Sequence, residues 1–530
     1  MHLLTLFAAE SALLPSRIQM AFTLAYHVIL VPLGVALPAY TLLMEGIGIA
    51  KKDPAAIRIA RRWSVVMAVQ FAVGAVTGTI LSFEFGILWP KLMGRFGAAL
   101  GMGFAIEGLA FFLEAIFIGI YLYGWTRLRP RTHFLLGLAL PPAGVLGTVS
   151  VLASNSFMNT PAGVTLGSSG QVVSVDVLGA LFTRALAYEF WHFLIATYIT
   201  AGFIVASIYA VAWLRGRRDH YQRLAFAIPF TVAALLTPIE LVVGDLSARA
   251  LVADQPAKFA AMEVTWKTRS HNPEVIGGLL TDSGQVNFGL SIPSFDSILI
   301  GLSPDTVAPG LTSVPASARP TIAEANITHL AFDAMVGLGS AGVALTIWYF
   351  VVLLYRRRLP QSRWFYGAAS LAGIGSYAAV ESGWVTTEVG RQPWIVYNLM
   401  RVSDAVTSAP GAFVWSMLSV LIVVYAIIAV VAITLVLKLA RRWRQEDAIE
   451  APTAPEEGAP YGPRSEIVPD SGSARERQGI SGTIQTMAIG TVLAFLGFGV
   501  LILLLIALSL VGLGAVMRRS VRVFRRRPSR

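Results

Sequence analysis

The chain has 530 residues, 55% hydrophobic and 13% charged, and its mean hydropathy of +0.66 is too high for a soluble protein of this length. The net charge of +11 does not indicate a nucleic-acid partner, because the basic residues occur in short clusters between apolar runs, as in cytoplasmic loops of membrane proteins. The absence of cysteine excludes disulfides and Cys-ligated metal centres. The composition therefore predicts an all-α, polytopic transmembrane helix bundle in which His, Met or carboxylate binds any metal.

The first 17 residues lack the charged start of a cleavable signal and lead into a span, so we expect them to be retained as a short interfacial helix. Nine apolar runs are long enough to cross a bilayer, which takes about 20 residues. They lie near residues 20–46, 62–88, 99–124, 134–155, 187–213, 223–243, 327–354, 364–385 and 411–438.

Basic clusters follow the first, third, fifth, seventh and ninth runs. By the positive-inside rule, the N-terminus lies outside. The same count places the long polar segment at about 245–326 on the outer face. A loop of this length is usually functional or disordered, and we treat it as part of a transmembrane core at 1–445.

The composition changes after this core. Residues 446–484 are rich in Pro, Glu, Ser and Gly and are predicted to form a disordered cytoplasmic linker. A tenth apolar run at 485–516 precedes a basic tail at 517–530. If the run spans the membrane as an additional helix, the tail lies outside, against the positive-inside rule; otherwise the run is re-entrant or interfacial.

Two of the seven histidines lie within predicted spans, where an ionisable side chain is costly and often functional. These are His27 and His192, although each alone is as often a buried structural histidine. The other five lie in loops, at the terminus or at a span edge, where histidine is usually solvated or structural. They are His2, His133, His220, His271 and His329.

Five side chains share one membrane layer. At 1.5 Å per helical residue, they lie within roughly 12–14 Å of the outer face. They are His27, His192, Glu107, Met335 and Glu388. These are ligand types that iron porphyrins accept, although a lone methionine in an apolar helix is usually packing.

Glu107 and Glu114 are seven residues apart, so they project from one helix face about 10 Å apart along the axis. Two acids in this arrangement suggest steps in a proton path. A structural pair hydrogen-bonded to neighbouring helices is the alternative.

Motifs in nearly every span resemble one family over roughly residues 10–440. The most specific is GWVTTEVGRQPW at 383–394. Others are RIQMAFTLAYHVILVP at 17–32, TGTILSFEFGILWP at 77–90, AIEGLAFFLEAIFIGIYLYGW at 105–125 and FDAMVGLG at 332–339. The sequence resembles subunit I of cytochrome bd-type quinol oxidases.

The resemblance implies three haems. His192 and Met335 match the axial pair of the low-spin haem b that accepts electrons from quinol. His27 and Glu388 match ligands of a second, high-spin haem b and of haem d, or a b-type haem in its place; which residue holds which haem is left open. The resemblance also implies that Trp384 is an aromatic residue near the haems and that Arg17 and Arg391 pair with haem propionates. Glu107 and Glu114 match the acidic pair that delivers protons.

The outer loop resembles the family's quinol-binding Q-loop, of the short class. Its first part, GDLSARALVADQPAKFAAMEVTW at 244–266, places Asp245, Lys258 and Glu263 on positions tied to quinol oxidation. One departure concerns the residue two positions before Met335, where some members carry Arg and this chain has Asp333.

The resemblance implies a terminal respiratory oxidase in the bacterial or archaeal plasma membrane. It oxidises quinol at the outer face and reduces dioxygen to water, generating a proton gradient without pumping. A second membrane subunit is the implied partner, and a small single-helix subunit is a further candidate partner. The alternative from another class is a proton-coupled secondary transporter using Glu107, Glu114 and Asp333.

Overall fold

The structure is a computed structural model that describes residues 11–449. Long helices dominate these residues, which confirms the all-α prediction. The helices, numbered in chain order, are α1 (Leu13–Lys51), α2 (Pro54–Leu88), α3 (Pro90–Gly124), α4 (Pro130–Gly137), α5 (Leu140–Asn159), α6 (Val177–Leu181), α7 (Arg184–Leu214), α8 (His220–Asp254), α9 (Pro256–Met262), α10 (Phe295–Gly301), α11 (Ile322–Arg356), α12 (Arg363–Gly390), α13 (Val402–Ala405) and α14 (Gly411–Ile449).

Each of the nine predicted spans is helical, the fourth as α4 followed by α5. Among residues 11–449, eight segments are long and apolar enough to cross a membrane. The predicted span in α12 is not one of the eight, because Glu381, Glu388 and several small polar residues lower its hydropathy. The last helix extends to Ile449. The segment before residue 11, with His2, and nearly all of the predicted linker, the tenth apolar run and the basic tail lie outside the described residues.

Local signals in the sequence start several of these helices. Asp53 caps α2 by accepting a hydrogen bond from the backbone N–H of Ala55 at 2.9 Å. Thr321 and Glu324 form a reciprocal capping box at the start of α11. These caps satisfy backbone N–H groups that have no partner inside the helix.

The described residues form two compact units. The larger comprises residues 30–407 and contains α2 to α13. The smaller comprises residues 11–29 and 408–449, where the ring of Tyr26 lies 4.6 Å from that of Tyr425. Arg17 and His27 belong to this smaller unit.

Within the larger unit, α7, α8, α11 and α12 pack around an aromatic core. The rings of Trp213 and Tyr366 stack at 3.9 Å. Close packing requires Gly373 on α12, where a Cβ atom would lie 2.9 Å from Cα of Ile204 on α7. Similarly, a Cβ at Gly103 on α3 would lie 2.9 Å from the carbonyl oxygen of Ser150 on α5.

A buried polar group joins α1, α3 and α4. Nδ1 of His133 lies 2.7 Å from Oε1 of Glu45, and the hydroxyl of Tyr121 donates to Oε2 of Glu45 at 2.6 Å. His133 is fully buried. Of the two readings left for this histidine, solvated or structural, the structure therefore favours the structural one.

The start of the predicted outer loop continues α8 to Asp254. The rest folds on itself as α9, a 3-10 turn (Leu311–Ser313), α10 and two nested antiparallel strand pairs. The strands are β1 (Val164–Leu166) with β2 (Val172–Val175) in an earlier loop, β3 (Glu274–Ile276) with β6 (Leu290–Ile292), β4 (Leu279–Leu280) with β5 (Val286–Asn287), and β7 (Trp394–Val396) with β8 (Met400–Arg401).

The loop has its own apolar core. Ala260, Val264 and Val275 are buried there with Leu311 of the 3-10 turn and Ala325 in the first turn of α11. The burial of apolar side chains from α9, β3 and α11 fixes the loop against the end of the helix bundle. The loop is therefore an ordered part of the larger unit.

Candidate functional site

The side chain of Asn159, the last residue of α5, is the centre of a buried hydrogen-bond network. Its Oδ1 atom accepts hydrogen bonds from Nζ of Lys258 and Nη1 of Arg391, both at 3.2 Å. Nε2 of Gln255 donates to the same oxygen at 3.1 Å. Nδ2 of Asn159 donates to Oε1 of Glu189 at 2.8 Å. One amide thus connects residues from α7, the loop and the end of α12.

Two further residues complete this group, which we call the Asn159 cluster. Asn155, one turn earlier on α5, donates to Oε2 of Glu189 at 3.0 Å. Nη2 of Arg391 lies 2.6 Å from Oε2 of Glu388. The cluster consists of Asn155, Asn159, Glu189, Gln255, Lys258, Glu388 and Arg391. It contains two cations and two carboxylates, so its formal charges balance when all four are ionised.

Lys258 is the loop residue that enters this cluster, and it is only 2% exposed. A Cβ atom at Gly390 would lie 2.7 Å from its Cγ atom, so α9 packs directly on the end of α12. Burial, followed by the nearby Arg391 guanidinium, lowers the pKa of Lys258 to about 7, although Glu189 and Glu388 act in the opposite direction.

Glu263, just beyond the other end of α9, belongs to a separate group, the carboxylate cluster, formed by Glu263, Glu274 and Asp296. Carboxylate oxygens of these three residues all lie within 4.8 Å of one another. Burial, reinforced by Glu274 and Asp296, raises the pKa of Glu263 well above its ordinary value. Burial also raises the pKa of Glu274 to about 7 and that of Asp296 to about 6. Lys258 and Glu263, five residues apart in the same motif, thus have different surroundings.

Asp333 and His329 attach the loop to α11. Nδ1 and Nε2 of His329 lie 2.6 Å and 2.9 Å from the carbonyl oxygens of Met262 and Gly277. Oδ2 of Asp333 accepts a hydrogen bond from the backbone N–H of Gly277. Asp333 therefore contacts the loop hairpin, two residues before Met335, where some relatives of the expected family carry Arg.

His192 and Met335, expected to hold the low-spin haem, lie on α7 and α11 of the larger unit. A Cβ atom at Gly383 would lie 3.0 Å from Sδ of Met335. The next residue, Trp384, packs its ring edge-on against Phe193 at 5.8 Å. Phe193 follows His192, so Trp384 and Gly383 link the neighbourhoods of the imidazole and the thioether.

Three observations fit haem at this position. Imidazole and thioether are ligands that haem iron accepts. The space beside Met335 depends on Gly383, and a Cβ atom at Gly244 would lie 3.5 Å from Cε1 of His192. Within residues 11–449, the buried Nε1 of Trp384 and Nε of Arg391 have no hydrogen-bond acceptor, and such donors suit carboxylate groups like haem propionates.

Glu107 and Glu114 lie on the face of α3 that packs on α5. They are 6% and 5% exposed. Ala110, between them on the same face, packs against α5, where a Cβ at Gly147 would lie 3.6 Å from its Cβ atom. The predicted common face of the two glutamates is therefore present, and it faces the helix that carries Asn159.

Two parts of the expected site are not brought into these clusters. Arg17 and His27 lie in the smaller unit, so the common layer predicted for His27 stays a prediction. Asp245 pairs with Arg249, whose Nε atom lies 2.7 Å from Oδ2 of Asp245. Arg249 also donates to the carbonyl oxygen of Ile300. Asp245 is thus linked to the loop helix α10 through Arg249.

Sequence reasoning missed several polar residues that are buried or partly buried in the structure. They are Asn155, Asn159, Glu189, Glu240, Gln255, Glu274 and Asp296. The spacing of Asn155 and Asn159, four residues apart at the outer end of a span, was an available signal. Glu189 and Glu240 were likewise carboxylates within predicted spans. Glu274 and Asp296 carried no such signal, because only loop folding brings them to Glu263.

Comparisons with known proteins agree with the resemblance. The family model described as cytochrome bd terminal oxidase subunit I matches residues 15–443. A Bacillus subtilis (strain 168) protein provisionally named cytochrome bd menaquinol oxidase subunit I is 32% identical over 395 residues, 73% of this chain and 87% of the relative. Cytochrome bd-II ubiquinol oxidase subunit 1 of Escherichia coli (strain K12) is 26% identical over 504 residues, covering 83% and 98%.

A solved structure is similar as well. The bd oxidase from Geobacillus thermodenitrificans superposes with a TM-score of 0.77 at 33% identity, and the match covers 82% of this chain and 99% of that chain.

The carboxylate cluster predicts that the loop loses stability as the pH rises. The folded-state pKa values of Glu274 and Asp296 lie above their ordinary values, so their stabilising protons are present at low pH and leave as the pH passes about 6 to 7. The ionised groups then repel one another and Glu263, with Asp333 nearby.

We expect amide protons of residues 263–296, corrected for intrinsic rates, to be about tenfold or more better protected at about pH 5 than at about pH 8. Hydrogen exchange read by mass spectrometry measures this, and Glu274→Gln should reduce the pH dependence. Equal protection at both pH values in the wild type would contradict the expectation.

Proposed function

The chain belongs to the cytochrome bd terminal oxidase subunit I family, a family of respiratory quinol oxidases in the membrane, and from this premise we propose how its own residues carry out quinol oxidation. Family membership implies haem cofactors and a quinol substrate. It removes the secondary transporter as the alternative, because the residues that motivated it lie within the matched region.

His192 and Met335 would hold a low-spin haem b, and His27 and Glu388 would hold the high-spin haem b and haem d or its b-type replacement. When bound, these groups supply one-electron carriers and the place where dioxygen is reduced to water. Arg17, Arg391 and Trp384 supply donors for propionates. For Arg391 and Trp384 the support is a buried donor atom without an acceptor among the described residues.

The observation that carries the proposal is the Asn159 cluster. It joins Lys258 of the quinol loop to Arg391 and Glu388 at the end of α12 through a single amide oxygen and one ion pair. A quinol held beside Lys258 would therefore lie next to the residues assigned to the haems. Short separation between donor and acceptor is what electron transfer from quinol requires.

Lys258 and Glu263 are assigned different tasks. The ammonium group of Lys258 is held by Asn159 and can donate a hydrogen bond to a quinol oxygen. Oε2 of Glu263 is buried and has no hydrogen-bond donor among residues 11–449, so it can accept a quinol proton. Burial raises the pKa of this carboxyl above its ordinary value, which makes its ionised form a stronger base. Asp245 supports the loop through Arg249.

Protons consumed in water formation come from the opposite side in this proposal. Glu114 and then Glu107, on the buried face of α3, would carry them toward the assigned haem ligands. Because quinol protons are released outside and these are taken up inside, charge is separated without a pumping element. The N-terminus and the loop lie outside, and a second membrane subunit accompanies this chain.

The direct test is the haem spectrum of purified protein variants. We expect His192→Ala and Met335→Leu each to lose the low-spin haem signal in reduced-minus-oxidised spectra, since each removes an axial ligand. The control is His220→Ala, which changes a largely exposed histidine paired with Asp53. A low-spin signal that persists unchanged in His192→Ala would overturn the ligand assignment.

Lys258→Met should impair quinol oxidation selectively. Methionine preserves length but removes the charge and the donor to Asn159, so kcat/KM for quinol should fall by about tenfold or more. Oxygen consumption with a soluble reductant that bypasses the loop should be preserved, as should haem content. Lys267→Met, at an exposed loop position, is the matched control. Equal losses with both donors would contradict the assignment of Lys258 to quinol.

Glu107→Gln and Glu114→Gln test the proton path. Each variant keeps the size of the side chain but cannot ionise, so steady-state oxygen consumption should fall at least about tenfold at full haem content. Oxygen electrode measurements and pyridine haemochrome analysis give the two quantities. Wild-type turnover in both variants would exclude the proton role.

A further inference from the structure

The imidazole of His192 has a carboxylate partner on the neighbouring helix. Nδ1 of His192 on α7 lies 2.8 Å from Oε1 of Glu240 on α8. Their side chains are 33% and 18% exposed. Gly244, one turn after Glu240 on the same helix, lies against the ring, since a Cβ atom there would be in van der Waals contact, 3.5 Å from Cε1 of His192. The face of α8 that carries residues 240 and 244 therefore holds this imidazole.

Glu240 has a single polar partner in this contact. Its other oxygen, Oε2, is buried and has no hydrogen-bond donor among residues 11–449. A carboxylate at this depth is costly unless a donor compensates its charge. Glu189, the other acid near this part of α7, is already bound by Asn155 and Asn159. The imidazole of His192, at ion-pair distance from Oε1, is therefore the group available to compensate Glu240, although its Nδ1 is not aligned for a hydrogen bond with that oxygen.

A carboxylate beside Nδ1 favours Nε2 as the free ring nitrogen. A carboxylate at Nδ1 retains the proton there, so Nε2 keeps its lone pair for a metal. A histidine that ligates a metal commonly donates its other N–H in this way, and the donation increases the electron density of the ligand. A more electron-rich axial ligand and a nearby negative charge both stabilise ferric over ferrous iron.

We propose that Glu240 is a positioning residue that orients His192 and lowers the reduction potential of the low-spin haem. The inference rests on the assignment of His192 as an axial ligand in the proposed function. Glu240 lies outside the motifs that identified the family. Those motifs also do not specify the reduction potential of the low-spin haem. Electron transfer from the low-spin haem toward the oxygen-reducing haems would then be favoured.

The test is a spectroelectrochemical titration of the purified enzyme. Glu240→Gln removes the negative charge but keeps a carbonyl oxygen that can accept from Nδ1. We expect its low-spin haem to be retained and its midpoint potential to move to a more positive value. Asp53→Asn is the matched control, because Asp53 also lies 2.7 Å from a histidine, His220, with no expected haem. The control should leave the potential unchanged.

Three outcomes overturn the inference. The first is an unchanged or more negative potential in Glu240→Gln at full haem content. The second is an equal shift in Asp53→Asn. The third concerns the case in which Glu240→Gln loses the low-spin haem. The inference then expects Glu240→Asp, which keeps the charge, to retain the haem. Equal haem loss in both variants would overturn the inference, because the site would require the length of Glu240 and not its charge.

His192→Ala separates this inference from the proposed function. If that variant retains the low-spin haem signal, the ligand assignment itself is wrong. If it loses the signal while Glu240→Gln keeps the wild-type potential, only the role of Glu240 fails. The electron paramagnetic resonance spectrum of the oxidised low-spin haem should also change in Glu240→Gln, because it responds to the donor strength of the axial imidazole.

Discussion

Asn159 makes the interaction on which the loop side of the larger unit depends. A hydrocarbon environment offers no water to replace a missing hydrogen bond, so charged groups near the ends of spans must satisfy one another. The side-chain oxygen of Asn159 accepts from Lys258, Arg391 and Gln255, while its NH₂ group binds Glu189. These donors and acceptors come from α7, α12 and the loop.

This arrangement explains how the outer loop is ordered. The short helix α9 has Lys258 within it, bound to the Asn159 cluster, and Glu263 directly after it in the carboxylate cluster. His329 and Asp333 bind the backbone of the loop to α11 at the same level. A quinol site built between two buried polar clusters can hold a donor group and a proton acceptor at fixed positions. The departure at Asp333 has a structural role here, since it contacts the hairpin.

The helices and the family were within reach of the sequence, because apolar runs of about 20 residues and motifs such as the one around Arg391 are local signals. The position of Met335 beside Gly383 and the common face of Glu107 and Glu114 follow from helical geometry. Helix α12 is less apolar than the other spans because it carries the carboxylates of Glu381 and Glu388.

The partnerships between distant residues were beyond such local reasoning. Glu240 and His192 are separated by 48 positions along the chain, and nothing in the local pattern around either one indicates the other. Glu274 and Asp296 reach Glu263 only because two nested strand pairs fold back over α9. The family motifs indicate the residues assigned to haem and quinol, while the contacts those residues make with other parts of the chain depend on tertiary packing.

Near-infrared magnetic circular dichroism of the oxidised, purified enzyme tests the central assignment most directly, since the ligands of a low-spin haem determine its charge-transfer band. The account predicts a low-spin haem with the band of a methionine sulfur opposite an imidazole, lost when Met335 is replaced by Leu. A low-spin haem with two imidazole ligands, or the same band after that replacement, would contradict it.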